Sequence, residues 1–255
     1  MIQKFVGLIF GLTIVWGCFS AYGQTAIETD SLLREAKVRD QTIREQLAQL
    51  TRRASKQGLT SLNASLADSL VSLSEQMQAI DRENLKLVSK LLRNGLPEQL
   101  KPESYHTIWL LVDHAELEEQ KHFLPFLAEA VKKGLISGYE WAVLTDRIKM
   151  YEGQPQTYGT QSYTFSRDGQ QVVYIWPVAD PSNLNRLRRE IGSDPIEEYV
   201  RQLKQEIGME VIYDPALTVE DMQRMQCYVI FNIIWQMLSI KLCNLYCSYS
   251  WYLIS

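Results

Sequence analysis

At 255 residues and a formal net charge of −4, the chain has room for one large domain or two small ones and carries no Lys/Arg run, which argues against nucleic acid as a partner. Its charged residues are plentiful and well mixed, which excludes wholesale disorder. The cysteines are Cys18, Cys227, Cys243 and Cys247, so the body from Gln24 to Gln226 holds neither a disulfide nor a thiolate zinc site.

The first 23 residues read as a secretory signal peptide: Lys4 gives the basic start, Phe5 to Val15 the apolar run, and Ala21-Tyr22-Gly23 a small-x-small cleavage step. They predict export to a periplasmic or extracellular space. A lipid on Cys18 is the alternative, disfavoured because Trp16 suits a signal peptidase pocket poorly. From Ser31 to Lys56 the apolar residues Ala36, Ile43, Leu47, Leu50 and Ala54 recur in alternating steps, which predicts one long helix within an N-terminal segment 24–60. Asp40 takes a seam position where an apolar residue belongs. Gln57-Gly58 ends that helix, and Thr60 or Ser61 caps a second one running to Arg93, stopped by Asn94-Gly95 and Pro97, with two shorter helices bent near Glu75 or Gln76 as the alternative. Its seam of Leu66, Leu70, Leu73, Met77, Ile80, Asn84, Leu87 and Leu91 also holds one polar intruder, Asn84, with Asp81 close by. The short connection favours an antiparallel pair.

Pro102 and Glu103 open a third helix, to Ala115. Its run Ile108-Trp109-Leu110-Leu111-Val112 is apolar on every side, which predicts burial, and leads straight into Asp113-His114. Phe123 to Lys133 reads as a helix with Pro125 near its start and Gly134 closing it. Ser137 caps another, Tyr139 to Tyr151, whose apolar face is interrupted by Asp146 and Arg147. Glu152 to Gln161 has no periodicity and predicts a loop. Ser162 to Ser166 and Gln171 to Val178 are β-rich runs joined by Arg167-Asp168-Gly169-Gln170, a hairpin signal. Asp180-Pro181-Ser182 opens a basic helix to Ile191, and Asp194-Pro195 another to Ile207, stopped by Gly208. The expected fold is mainly α: a helical bundle-like domain over 61–210 with one small β-hairpin, near 162–178, after the core helices. Residues 211–255 form a C-terminal segment, apolar from 227, that reads equally as a membrane anchor or as an aberrant end. Membrane contact is expected only through that tail or Cys18.

Several of these stretches together resemble a known family. Asp40-Gln41, Asp81 with Asn84, Trp109 to Ala115, Gln120, Asp146-Arg147 and Pro155-Gln156-Thr157-Tyr158-Gly159-Thr160-Gln161 are similar to the pattern of the domain of unknown function 6624 family. The likeness spans roughly 40–189. The family pattern has Gln before the His and Asp after the Ala, where this chain has Asp113 and Glu116, so no hydrogen bond is carried over from Asp113. The resemblance implies a shared domain and no assigned activity.

The intruders themselves carry the functional expectation. Asp40, Asn84 with Asp81, Asp113-His114 and Asp146-Arg147 each break an apolar stripe; buried alone each costs several kcal/mol, and far less where they meet. They are therefore expected to converge, under the amide-rich loop 154–161. Three readings follow. A polar cleft would bind a small molecule or an envelope polymer through Asp40, Asn84, Gln120, Arg147, Gln156, Tyr158 and Gln161. A hydrolase would use His114 as general acid or base, oriented by Asp146 or Asp81. A buried network would simply fix helix register. No Walker loop, Gly-x-Ser-x-Gly, nicotinamide fingerprint or His-Glu-x-x-His occurs, so neither cofactor nor metal is expected.

Overall fold

The computed structural model describes the backbone of residues 3–57, 64–167 and 170–226, and the side chains of 26–54, 65–165 and 170–226. The side chains of the segment 1–23 expected as a leader, with Cys18, the expected caps Thr60 and Ser61, the expected hairpin tip Asp168-Gly169 and the tail 227–255 lie outside the described residues. Two compact units divide the chain, Met1–Ser137 and Gly138–Ser255. The division falls inside the 61–210 stretch expected as one domain.

The first unit is helical. Helix α1 spans Gln3–Gln57, α2 Ala64–Leu92, α3 Pro102–Asp113 and α4 Leu117–Lys132. Leu33, Ala36 and Ile43 of the α1 seam are buried, and so is Asp40. Arg39 pairs with Glu83 at 3.9 Å and Arg44 with Asp81 at 2.6 Å, so α1 and α2 run antiparallel. On α3, Tyr105, Ile108, Trp109, Leu111 and Val112 are buried, as a helix apolar on all sides requires. Its first turn is capped from α1: the Asp30 carboxylate accepts from the Lys101 backbone N–H at 3.2 Å and from Ser104 Oγ at 2.6 Å. With Asp30 beside Ser104 and Asp40 beside His114, α3 runs parallel to α1. Helix α4 begins six residues before the expected Phe123, so Pro125 sits inside it. The earlier start is built by Gln120, whose amide Nε2 donates to the carbonyls of Asp113 and Ala115 and staples the α3–α4 joint.

The second unit combines α5 (Gly138–Tyr151), β1 (Ser162–Arg167), β2 (Gln170–Ile175), α6 (Leu184–Glu190), α7 (Ile196–Ile207) and β3 (Glu210–Ile212). The hairpin β1–β2 is antiparallel, pairing Ser162 with Ile175 through Arg167 with Gln170. Strand β3, which the sequence did not announce, adds parallel to β2 with Val173 opposite Val211. Three residues are too few to display an alternating pattern. Val173, Ile175, Leu184, Ile196 and Val211 form one core cluster. Phe165, Trp176, Val219 and Met222 form another, reached by a further helical stretch at 219–226. That stretch opens with a reciprocal cap between Thr218 and Asp221.

Arg188, fully buried, ties α6 to the 154–161 loop. It donates to the carbonyls of Asp194 (2.6 Å), Tyr158 (2.7 Å) and Gly159 (3.3 Å) and to Ser193 Oγ (2.9 Å), and lies 4.8 Å from the Tyr199 ring centroid. Gly159 is required beneath it: φ is +68°, and a Cβ there would meet Ile196 Cδ1 at 3.1 Å. Arg188→Met should cost about 3–5 kcal/mol, because buried carbonyls lose their donors. Urea unfolding measures that loss, and hydrogen exchange should show the 154–161 amides losing protection first.

Candidate functional site

The first unit gathers its polar intruders at one level of three helices. Asp40 on α1 is completely buried and receives the His114 ring: Nδ1 lies 3.1 Å from Oδ1 and 3.0 Å from Oδ2. Gln41 Nε2 donates to Asp40 at 2.8 Å, and Arg44 Nε approaches both carboxylate oxygens at 3.4 Å. Arg44 then reaches across to α2, giving Nη2 to Asp81 at 2.6 Å and Nη1 to Met77 Sδ at 3.2 Å. A carboxylate only accepts, so the His114 ring presents Nδ1–H to Asp40 and its Nε2 lies outside that hydrogen bond. The His114 side chain is 20 % exposed. As the C-cap of α3 it sits where the helix ends, its backbone N–H returning to Leu110.

The two carboxylates titrate in opposite directions. Burial raises Asp40, but the His114 hydrogen bond and charge, Arg44 and Gln41 together bring it below its ordinary 3.8. Burial raises Asp81 above the same value, and Arg44 offsets this only in part.

Asn84 completes the level. It follows Asp81 by one turn of α2 and is one residue past Glu83, which pairs with Arg39 of α1. Only 2 % exposed, it has no hydrogen-bond partner for either Nδ2 or Oδ1 among the described residues. Gln120 Oε1 is unmatched in the same way. Asp113 is buried, and its carbonyl is held by Gln120.

Asp146, expected to orient His114, belongs to the second unit. Fully buried on α5, it accepts from the backbone N–H groups of Thr157 (2.7 Å), Tyr158 (3.0 Å) and Thr160 (3.2 Å) and from Thr160 Oγ1 (3.0 Å). Burial pushes its carboxyl up while those donors pull it back. Gln156 and Gln161, expected as ligand contacts, have their amides engaged inside the protein. Gln156 Nε2 donates to the carbonyls of Gln161 and Trp176, its Oε1 accepts the Gln161 N–H, and Gln161 Nε2 donates to the Val143 carbonyl. Tyr158 is half-buried, and burial raises its phenol. Arg147 is half-buried on α5, in the second unit. Thus Asp40, Asp81 and His114 come together through Arg44, Asn84 lies buried one turn after Asp81 on the same helix, and Asp146, Gln156, Tyr158 and Gln161 build the loop. The sequence reading missed Arg44, the cation that joins Asp40 to Asp81; its position four residues after Asp40 was the available signal. It also missed Arg188.

Among the described residues no cluster of three or more His, Cys, Asp and Glu side chains is arranged to hold a metal ion, and no helix is long and apolar enough to cross a membrane.

The cited shifts set an acid-stability expectation. Asp40 has a folded-state value below its unfolded one, so its contribution is complete above the ordinary 3.8 and disappears as pH falls through the lower folded value. Asp81, shifted up, contributes in the opposite sense. Asp40→Asn should therefore lower stability at pH 7 and flatten its decline below pH 4, as read by urea unfolding across the acid range.

No curated protein and no solved structure matches the chain. The model of the Family of unknown function (DUF6624) matches residues 33–212, a span that takes in the three-helix level, the Gln-rich loop and the sheet through β3, and the chain belongs to that family.

Proposed function

We propose that the first unit binds a small, neutral, polar molecule between Asn84 and His114, in an exported protein of the cell envelope. The observation that carries this reading is the Asn84 amide, buried with neither donor nor acceptor matched. A network kept only for register satisfies each of its members, because a partly satisfied one is less stable than an apolar core. The charges argue for neutrality: Asp40 and Asp81 already share Arg44, so the cluster offers an anion no uncommitted cation. The amide presents an N–H and a C=O side by side, matching hydroxyl pairs of sugars or amide edges. Export rests on the leader-like segment 1–23.

A second reading is favoured by one feature. The Asp40–His114 pair fixes the ring by Nδ1 and frees Nε2, the arrangement of a general base. On that reading a bound molecule is also hydrolysed, with Asp40 in the orienting place.

Thermal melting with a panel of neutral mono- and disaccharides and capped dipeptides tests both. Wild-type protein should melt higher with at least one compound. Asn84→Leu should melt higher than wild type without any, by about 1–3 kcal/mol of stability, since an unmatched buried amide is removed; its response to the compound should vanish. Destabilisation by Asn84→Leu, with no compound shifting the wild type, would leave the cluster purely structural. Should turnover be found, His114→Gln separates the two readings by keeping binding and losing rate.

A further inference from the structure

The outward face of α2 carries a feature that the His114 cluster does not use. Arg82, Lys86 and Lys90 follow at steps of four, Arg93 stands just past the end of the helix at Leu92, and all four are exposed and flank a shallow groove of about 500 Å³ with Leu85 and Ser89 between them. At 1.5 Å rise per residue the helical part from Arg82 to Lys90 is about 12 Å long, with a charge roughly every 6 Å. None of the four cations has an ion-pair partner among the described residues. Some cations of the same unit are paired, Arg39 with Glu83, Arg44 with Asp40 and Asp81, Lys121 with Glu118 and Lys133 with Glu129, while Lys37, Lys101 and Lys132 stand unpaired among the described residues, but singly rather than in a stripe. In a chain of net charge −4, four uncompensated positive charges on one stripe form a local field opposite in sign to the molecule as a whole.

We propose that this groove docks a linear acidic polysaccharide. The periodic charge fits a polymer with repeated anionic groups rather than a single anion. No aromatic side chain lines the groove, so nucleic-acid bases have nothing to stack on. A helix that lies on a lipid surface sets Trp, Phe and Leu beside its basic residues, and here only half-buried Leu85 is apolar. A bare phosphate chain would leave the space over Leu85 unfilled, whereas the apolar face of a sugar ring covers it. The Ser89 hydroxyl is turned back onto the Leu85 carbonyl at 2.8 Å, so recognition rests on the four cations and that apolar floor.

Binding of the full chain to dextran sulfate and to polygalacturonate, with neutral dextran as control, tests the proposal. Both acidic polymers should bind and neutral dextran should not. Raising salt from 50 to 200 mM should weaken binding at least about tenfold, as displaced counterions require. Lys86→Glu with Lys90→Glu should weaken it at least about tenfold, while Lys101→Glu with Lys132→Glu, an equal change of net charge elsewhere, should leave it within about twofold; circular dichroism confirms that both variants fold. Equal loss in the two variants would reduce the effect to net charge and overturn the site. Absence of binding, or tighter binding of oligothymidylate or anionic lipid vesicles through the same lysines, would overturn the polysaccharide assignment.

Discussion

A carboxylate sealed from water at the centre of a helix seam is the constraint around which the first unit is built. Asp40 loses its hydration on folding, a cost of several kcal/mol for an ion left alone. It is offset by the His114 ring, the Arg44 guanidinium and the Gln41 amide, which together hold the carboxyl below its ordinary range in spite of burial. Each compensating group fixes a different element. His114 sets the height of α3 against α1, and Arg44, shared with Asp81, sets α2 against both. Sliding any of these helices by one turn would strand a buried charge, so the network selects one register among several that apolar packing alone would tolerate. Within that closed accounting of charges, the Asn84 amide is left unmatched.

The second unit handles its buried charges by a different route. Asp146 is surrounded not by a cation but by peptide N–H groups of the 157–160 turn, a concave nest of backbone dipoles. Arg188 meets carbonyls rather than a carboxylate. The loop between them is held from both sides, its amide hydrogens by the acid and its carbonyls by the base. Gln156 extends the same logic by imitating a strand, bridging Gln161 and Trp176 through its side-chain amide. The amide-rich loop 154–161 is therefore architectural in its hydrogen bonding.

The helices and the polar positions within them were legible because burial obeys the 3.6-residue period. Asp40 and Asn84 stood out as breaks in a stripe, and the Ile108 to Val112 run announced a buried helix ending at His114. Which intruder would meet which was not legible. Asp81 and Asp146 look alike in sequence, and only the crossing of chains shows that one faces a guanidinium and the other a ring of backbone amides. Backbone groups leave no mark on sequence, so the engagement of Gln156 and Gln161 was equally hidden. The early start of α4 escaped because Pro125 suggested a helix beginning, whereas the Gln120 staple at the joint allowed the helix to begin two turns before it.

The parallel seat of β3 on β2 has a consequence for how the chain comes off the ribosome. Residues 154–161 emerge well before their clamp: Arg188 follows about thirty residues later, and the strand that closes the sheet later still. Parallel pairing cannot form until the intervening helices have been made. During that interval the edge of β2 is bare and Asp146 has only a slack loop to hold it. The second unit can thus close only late in synthesis, and a nascent chain halted before β3 would leave bare a pairing edge of β2 that the finished protein covers.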